Sequence, residues 1–189
     1  MFFRKRTGNV ESVKEAPDAA PAPVGAAVEI ADGEAAHSQP PSGEVASRNP
    51  HLALGQIVSL MARSPQFRQA KLADLRWLVV PAIRSSQVAV AEARDAAGHA
   101  SPVAAVLWAR VSDEVDLRLT DSPTLPPQLK KEDWSSGEIP WVVVAVGAEK
   151  ACGATIAQIS RTVFDGRNMK MSVRGGDGKV AVRSLTVAA

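Results

Sequence analysis

Histidine and cysteine, two residue types that perform acid–base and nucleophilic chemistry, are scarce in this sequence. There are three histidines, His37, His51 and His99, and one cysteine, Cys152. A histidine that takes up a proton and a thiolate that attacks a carbonyl are familiar parts of an acyl-transfer site. Cys152 precedes Gly153 near a predicted helix N-terminus, where its pKa would fall. A buried, unreactive cysteine is the favoured alternative, because lone cysteines are mostly packed inside.

The histidines are far apart along the chain. His37 lies in a segment rich in Ala and Pro, His51 begins the first predicted helix, and His99 lies in a predicted hairpin turn. At about 1.5 Å of rise per helical residue, His51 would be roughly 20 Å from Ser64 at the other end of that helix. We interpret all three as surface histidines. Ser64 has two readings: it orients a substrate carbonyl, or it satisfies backbone groups at the helix end.

A small-residue turn, residues 147–155, follows a strongly apolar stretch. Gly147, Gly153 and Thr155 lie within it, and exposed amides at a helix N-terminus suit an anionic or amide-rich ligand. Together with Ser64, these three residues are the candidate substrate-binding residues. Simple packing of a strand-to-helix turn is an equally good reading, since many glycine turns bind no ligand.

Composition predicts one domain preceded by a tail. The chain has 189 residues, of which 46% are hydrophobic and 22% charged, as in globular proteins. Residues 1–49 are rich in Ala, Pro and Glu and are predicted to be disordered, whereas residues 50–189 are predicted to fold. The tip from Phe2 to Arg6 joins two phenylalanines to three cations and suits at most peripheral contact with an anionic membrane. A frayed terminus without function is the alternative.

Charge and hydropathy narrow the function classes. Beyond residue 50 there are 17 Lys and Arg against 13 Asp and Glu, and only 4% of all residues are aromatic. This scattered excess argues against nucleic-acid binding. The sequence has no run of about 18 apolar residues, so no transmembrane helix is predicted. The residues after Arg6 lack the apolar core of a signal peptide. A cytoplasmic location is therefore predicted. Any membrane contact is expected to be peripheral, at the inner face of the membrane.

Apolar periodicity predicts helices first and strands later. Leu52 to Met61 follow helical spacing until Ser64-Pro65 ends the helix, and a second helical segment is broken around Pro81. The remaining elements are strands at 87–93, 103–111 and 141–146, a short helix at 113–119, a helix opened by 147–153, and a hairpin of 167–172 with 179–186. The 141–146 strand is apolar on both faces and is predicted to be central. The order indicates an α+β fold, a mixed sheet with flanking helices.

Four stretches in this order carry a family resemblance. They are Leu54-Gly55-Gln56-Ile57 with Ser64-Pro65 and Arg68; Val80-Pro81-Ala82-Ile83; Trp108-Ala109 leading to Glu114; and Glu132-Asp133-Trp134-Ser135-Ser136-Gly137 with Trp141. In this spacing, residues 51–186 resemble the RTX toxin-activating lysine acyltransferases, also called the hemolysin-activating acyltransferase family. The resemblance implies a fold like that of the Gcn5-related acetyltransferases. Such a fold binds the pantetheine part of an acyl donor at the turn corresponding to residues 147–155.

The resemblance also implies a reaction. Family members are cytoplasmic, commonly dimeric, and move a fatty acyl chain from acyl carrier protein to internal lysines of a protoxin, without a metal. Their catalytic residues are a histidine soon after the Ser-Pro pair and an aspartate on the strand after the second tryptophan. Counting along this chain puts Phe67 at the histidine position and Val144 at the aspartate position. Neither side chain accepts a proton, so the acid–base pair is predicted to be missing.

Two functions of different class follow. The first is transfer of an acyl group from acyl carrier protein to a protein lysine, slowed by the loss of the base. The second is a catalytically inactive accessory subunit that uses the same fold to hold a protein partner or an acyl chain.

Overall fold

The helical layer opens the folded region. Residues 49–186 are described by a computed structural model, so the predicted tail and its Phe2–Arg6 tip lie outside the described residues. The side chain of Asn49 caps the first helix by accepting from the backbone N–H groups of His51 and Leu52 at 3.0 and 3.2 Å. The helical elements are α1 (Pro50–Arg63), 3₁₀ turns at Pro65–Phe67 and Leu72–Asp74, α2 (Leu75–Leu78) and α3 (Val80–Arg84).

Five strands form one sheet whose spatial order follows the sequence. The strands are β1 (Val88–Arg94), β2 (Ala100–Val111), β3 (Ile139–Gly147), β4 (Met169–Arg174) and β5 (Val180–Leu185). Neighbours pair antiparallel except β3 and β4, which are parallel because helix α5 (Glu149–Val163) carries the chain back between them. Helix α4 (Asp113–Asp121) and a 3₁₀ turn at Lys131–Trp134 lie between β2 and β3.

Helices cover both faces of the sheet. On one face, Ile57, Leu60 and Val79 from the N-terminal helices pack with Leu107 and Val144 of the strands. On the other face, a second set of apolar residues buries α5 against the sheet: Trp108, Val142, Ile156, Ile159 and Phe164. The structure thus confirms the α+β class, a mixed sheet with flanking helices. Within residues 49–186 no helix is long and apolar enough to cross a bilayer.

Most predicted elements lie where the periodicity put them. The break near Pro81 is real: α2 stops at Leu78 and α3 starts at Val80, one residue before the proline. The strand at 141–146 is the third of five and is central, as its two apolar faces indicated. Several strand and helix boundaries differ from the predicted ones by one to three residues, and one of these differences lies next to the candidate site. The helix predicted to open across residues 147–153 begins at Glu149, because Gly147 completes β3 with φ of +120° and Ala148 alone makes the turn.

The parallel pair β3–β4 is short, and the two strands then separate. Their register contains only Trp141 opposite Lys170 and Val142 opposite Met171. From Val144 to Gly147, β3 stays paired with β2 on its other side, but from Val143 onward it has no pairing with β4. We call the gap between β3 residues 143–147 and β4 residues 172–174 the splay. A strand edge inside a folded domain that lacks a partner strand is open to another group that can hydrogen-bond to it.

Candidate functional site

The turn after α1 reaches across to the splay. Gln66, in the 3₁₀ turn Pro65–Phe67, donates a hydrogen bond from Nε2 to the carbonyl oxygen of Ala145 at 3.3 Å. That carbonyl belongs to the open edge of β3. Because the N–H and C=O of one strand residue point to the same side, the N–H of Ala145 faces the splay as well.

Phe67 and Val144 are sequence neighbours of the two residues that form this hydrogen bond. Phe67 follows Gln66, and Val144 precedes Ala145. Val144 is 3% exposed and belongs to the main apolar cluster, and the half-buried Phe67 packs against the same cluster. The structure therefore brings the two positions singled out by counting to one region of the sheet. Neither side chain titrates, so this wall of the splay is apolar and holds no side-chain base.

A β-bulge shapes β3 at this point. The register with β2 runs from Leu107 opposite Val144 directly to Trp108 opposite Val142, which leaves Val143 as an extra residue on β3. Val143 and Val144 consequently both join the apolar cluster on the α1 side, instead of alternating between the faces. The bulge therefore puts both valines on the face of the sheet that packs against the N-terminal helices.

A buried hydroxyl marks the opposite wall of the splay. Ser172 on β4 is 1% exposed, and its Oγ forms no hydrogen bond within residues 49–186. It follows Met171, the last β4 residue paired with β3, and it shares a sheet face with Lys170, two residues earlier. Neither Gln66 nor Ser172 is singled out by the sequence. No motif marks them, and only the pairing of distant segments reveals their positions.

The four candidate binding residues are less well placed. Ser64 lies at the C-cap of α1, where its N–H donates to the carbonyl of Met61 at 3.0 Å. Gly147 is required by packing, since a Cβ there would collide with the carbonyl of Val103 on β2. Gly153 lies a full turn inside α5, and Thr155 is buried with its hydroxyl donated to the carbonyl of Ala151 at 2.8 Å. A ligand role for these four stays a prediction.

Cys152 is a buried free thiol. Its side chain is buried, and burial, together with the Glu149 carboxylate, raises its pKa above the ordinary value. The hypothesis of a lowered pKa at the helix N-terminus is therefore wrong: the thiol lies in the first turn, but the apolar packing dominates. His99 is exposed and contacts Asp95 at 3.2 Å, far in sequence from the splay. Among the described residues, no three His, Cys, Asp or Glu side chains form a metal-binding group.

The motif from Asp133 to Gly137 is a structural clamp. Asp133 accepts from the backbone N–H of Lys130 at 2.8 Å and pairs with Arg118. The hydroxyl of Ser136 accepts from the backbone N–H of Ser112 at 2.9 Å and donates to the carbonyl of Asp133 at 3.1 Å. At Gly137 a Cβ would lie 2.6 Å from the carbonyl oxygen of Val111, so only glycine fits against the end of β2.

Trp141 completes this clamp. Its indole Nε1 donates to Asp116 of α4 at 2.7 Å, and the Nζ of Lys170 on β4 contacts both oxygens of the same carboxylate at 2.8 and 2.7 Å. One carboxylate thereby joins α4, β3 and β4 at the closed end of the splay. Val144 is three residues further along β3, about 10 Å at 3.3 Å per residue, so the Asp116 carboxylate does not lie at position 144.

A separate open cleft lies beside α4. It has a volume of about 710 Å³ and is lined by Trp77, Arg118, Leu119, Ser122, Thr124, Gln128, Leu129 and Lys130. Its lining includes the hydroxyls of Ser122 and Thr124 and the ammonium group of Lys130, and Arg118 is paired with Asp133. Neither Phe67 nor Val144 lines this cleft.

Comparison with known proteins assigns the family. The profile of the RTX toxin acyltransferase family matches residues 47–185, which is nearly the whole described region. The chain belongs to this family. The protein-lysine myristoyltransferase HlyC of Escherichia coli is 35% identical over 96 residues, which are 51% of this chain and 52% of that protein. The chain therefore spans about half the length of the curated relative it matches.

The clamp and the splay differ in chemistry. The clamp residues are joined by the polar bonds described above, whereas Phe67 and Val144 pack in or against the main apolar cluster. Neither of these two side chains titrates, and their place at the catalytic positions of the family stays a prediction.

Proposed function

We propose that this protein binds a fatty acyl group, carried as a thioester on acyl carrier protein, and transfers it to a lysine of another protein. Membership of the RTX toxin acyltransferase family supports the reaction class, and the name of the E. coli relative, a protein-lysine myristoyltransferase, supports the lysine acceptor. The observation that carries the proposal is the splay, where an open strand edge at Ala145 lies beside the apolar wall of Phe67 and Val144.

Each part of the splay suits part of the donor. The apolar wall excludes water and packs against the acyl chain. The backbone N–H of Ala145 is positioned to donate to the thioester oxygen, which becomes negative as the lysine attacks. The buried Oγ of Ser172 is available for a polar group of the pantetheine arm. The turn before α5 is a single residue, Ala148, and Glu149 puts a carboxylate at that helix N-terminus, an arrangement better matched to neutral amides than to a pyrophosphate.

The reaction balances without any group beyond donor and acceptor. The neutral lysine nitrogen attacks the thioester carbon, the C–S bond breaks, an amide forms, and the pantetheine sulfur leaves as a thiolate that takes up a proton. The lysine must first lose a proton, and here water accepts it because neither Phe67 nor Val144 does. A positioned base typically contributes a factor of about 10²–10⁴, so we expect transfer slower by about that factor than with the family pair.

A second candidate is favoured by the same apolar wall. With Phe67 and Val144 at the two catalytic positions, the domain holds an acylated partner or another protein without transferring the chain, as an accessory subunit of an assembly. The first proposal includes a cytoplasmic location, a homodimer, and two partners, which are acyl carrier protein and a protein acceptor. Light scattering of the purified protein tests the dimer.

Single-turnover transfer separates the candidates. Radiolabelled acyl-acyl carrier protein is mixed with the full chain and a lysine-containing acceptor, and label on the acceptor is measured against a reaction without the protein. We expect slow transfer above that background. We also expect a large gain in the double variant Phe67→His with Val144→Asp, and none in the control Phe67→Asn with Val144→Asn, whose polar amides do not accept a proton.

Other outcomes assign the function differently. Binding of acyl carrier protein that requires the acyl chain, with no transfer, would establish the accessory role. Transfer that disappears in Cys152→Ala would show a covalent route through the thiol and contradict direct attack. Neither binding nor transfer would reject both candidates.

A further inference from the structure

The turn that carries Gln66 and Phe67 continues into an exposed basic segment, residues 68–76, which we call the basic loop. Every residue from Arg68 to Ala73 is exposed, and the side chain of Leu72 has 83% of its surface in solvent. It is the most exposed of the four large hydrophobic side chains that are exposed within residues 49–186. The loop therefore presents an apolar tip on a protruding turn.

Cations surround that tip. Arg68 and Lys71 precede Leu72 and Arg76 follows it, and all three are exposed. Arg68 and Arg76 form no ion pair within residues 49–186. The one acidic residue of the loop, Asp74, is occupied with the turn itself: it accepts from the backbone N–H of Lys71 at 2.8 Å and from the Trp77 indole at 3.3 Å. The positive charges thus face outward.

The charge of the domain is distributed unevenly. Residues 63–84 contain five Lys and Arg and a single Asp, whereas residues 113–138 contain seven Asp and Glu and three Lys and Arg. Residues 139–189 carry the same excess of four, seven Lys and Arg against three Asp and Glu, but spread it over 51 residues instead of 22, so the basic charge is densest around the basic loop. Another exposed leucine, Leu117 at 61%, lies on α4 within the acidic region and lacks such neighbours.

We propose that the basic loop is a membrane-contact site, in which Leu72 enters the boundary of an anionic bilayer and Arg68, Lys71 and Arg76 bind its phosphates. The shape and the charge favour this partner. A deformable lipid surface accepts a protruding leucine, and cations at phosphate depth add to its burial. A folded acidic protein would instead need a cavity complementary to Leu72. This surface is distinct from the Phe2–Arg6 tip, and it goes beyond the proposed acyl transfer.

The basic loop is adjacent in sequence to the turn beside the splay, so membrane contact by the loop would bear on the proposed acyl transfer. The backbone N–H of Ala70 donates to the carbonyl of Phe67 at 2.9 Å, so the loop is tied directly to the turn that walls the splay. Docking of the loop would hold the mouth of the splay near the lipid surface, where acyl chains and membrane-bound acceptors are concentrated.

Vesicle co-sedimentation of the full chain tests the site. We expect binding to vesicles of equal parts phosphatidylcholine and phosphatidylserine, and little to pure phosphatidylcholine. Each cation contributes about 1 kcal/mol, or roughly fivefold, so Arg68→Gln with Lys71→Gln should weaken binding about 25-fold. Leu72→Gln should weaken it by about tenfold, from loss of roughly 1.5 kcal/mol of apolar burial. Thermal melts of each variant verify folding.

Matched control variants show whether vesicle binding depends on the basic loop or on exposed charge and apolar surface anywhere on the domain. Leu117→Gln and the pair Lys150→Gln with Lys179→Gln change an exposed leucine and two exposed cations elsewhere, and should leave binding within twofold. Equal losses in these controls and in the loop variants would reject the site in favour of diffuse attraction. Binding abolished by Phe2→Ser with Phe3→Ser, but untouched by Leu72→Gln, would also overturn the proposal. So would a failure to bind phosphatidylserine vesicles together with loop-dependent binding of acyl carrier protein.

Discussion

A double-mutant cycle tests whether positions 67 and 144 face each other. Val144 is 3% exposed, so Val144→Asp removes about 1.5–3 kcal/mol of apolar burial and adds a carboxylate without a partner. An unpaired buried charge typically costs about 3–5 kcal/mol. We therefore expect the single variant to lose at least about 3 kcal/mol of unfolding free energy. Adding Phe67→His supplies an imidazolium, and we expect coupling of about 0.5–3 kcal/mol in favour of the pair.

Urea denaturation followed by tryptophan fluorescence measures all four proteins, because the chain has 4 Trp. The coupling should be largest at a pH of about 5–6, below the ordinary histidine pKa of about 6.5 and above that of aspartate, and should weaken at higher pH. The control replaces aspartate with asparagine, which leaves no charge to pair. Energies that add within about 0.5 kcal/mol would show that the two positions do not touch, and the assignment of the splay as the family site would fail.

Three further predictions concern single residues. Gly137→Ala should cost about 1–3 kcal/mol in urea denaturation because its Cβ has no space, whereas Gly153→Ala, in open space within α5, should stabilise by a few tenths of a kcal/mol; equal effects would contradict the clamp. Cys152 should react with iodoacetamide at neutral pH far more slowly than free cysteine and react fully in urea, since burial raises its pKa; fast native labelling would contradict this. The hydrogen bonds from a backbone N–H and from the Trp77 indole lower the pKa of Asp74. Its contribution to stability should therefore be present above the unfolded pKa near 3.8 and disappear at lower pH. In thermal melts, Asp74→Asn should remove that pH dependence.

Local pattern predicted most of the fold. The stripe from Leu52 to Met61, the stop at Ser64-Pro65 and the doubly apolar strand around Val143 each depend on neighbours in sequence, and each is found as expected. The separation of β3 from β4 was not visible in the sequence. It depends on which residues of two distant strands pair, and neither strand differs in composition from an ordinary pair.

Sequence named two positions of the candidate site but none of its polar contacts. Counting from Ser64-Pro65 and from Trp141 named Phe67 and Val144, and both pack in or against one apolar cluster, whereas their catalytic assignment stays a prediction. Gln66 and Ser172 carry no sequence signal because their roles arise from tertiary contact and burial. The proposed ligand residues at the start of α5 were chosen from small-residue composition, and composition does not distinguish a packing glycine such as Gly147 from one that contacts a donor.

The clamp is bonded independently of the splay. Asp133, Ser136, Gly137 and Trp141 each fill a bond or a space that few other side chains can fill. None of the hydrogen bonds of the clamp involves position 67 or 144, whose side chains pack in or against the main apolar cluster. A substitution at either position therefore acts first through apolar packing, while the bonds that join α4, β3 and β4 stay in place. In this domain, a change in the splay can be measured on a scaffold that another set of residues holds together.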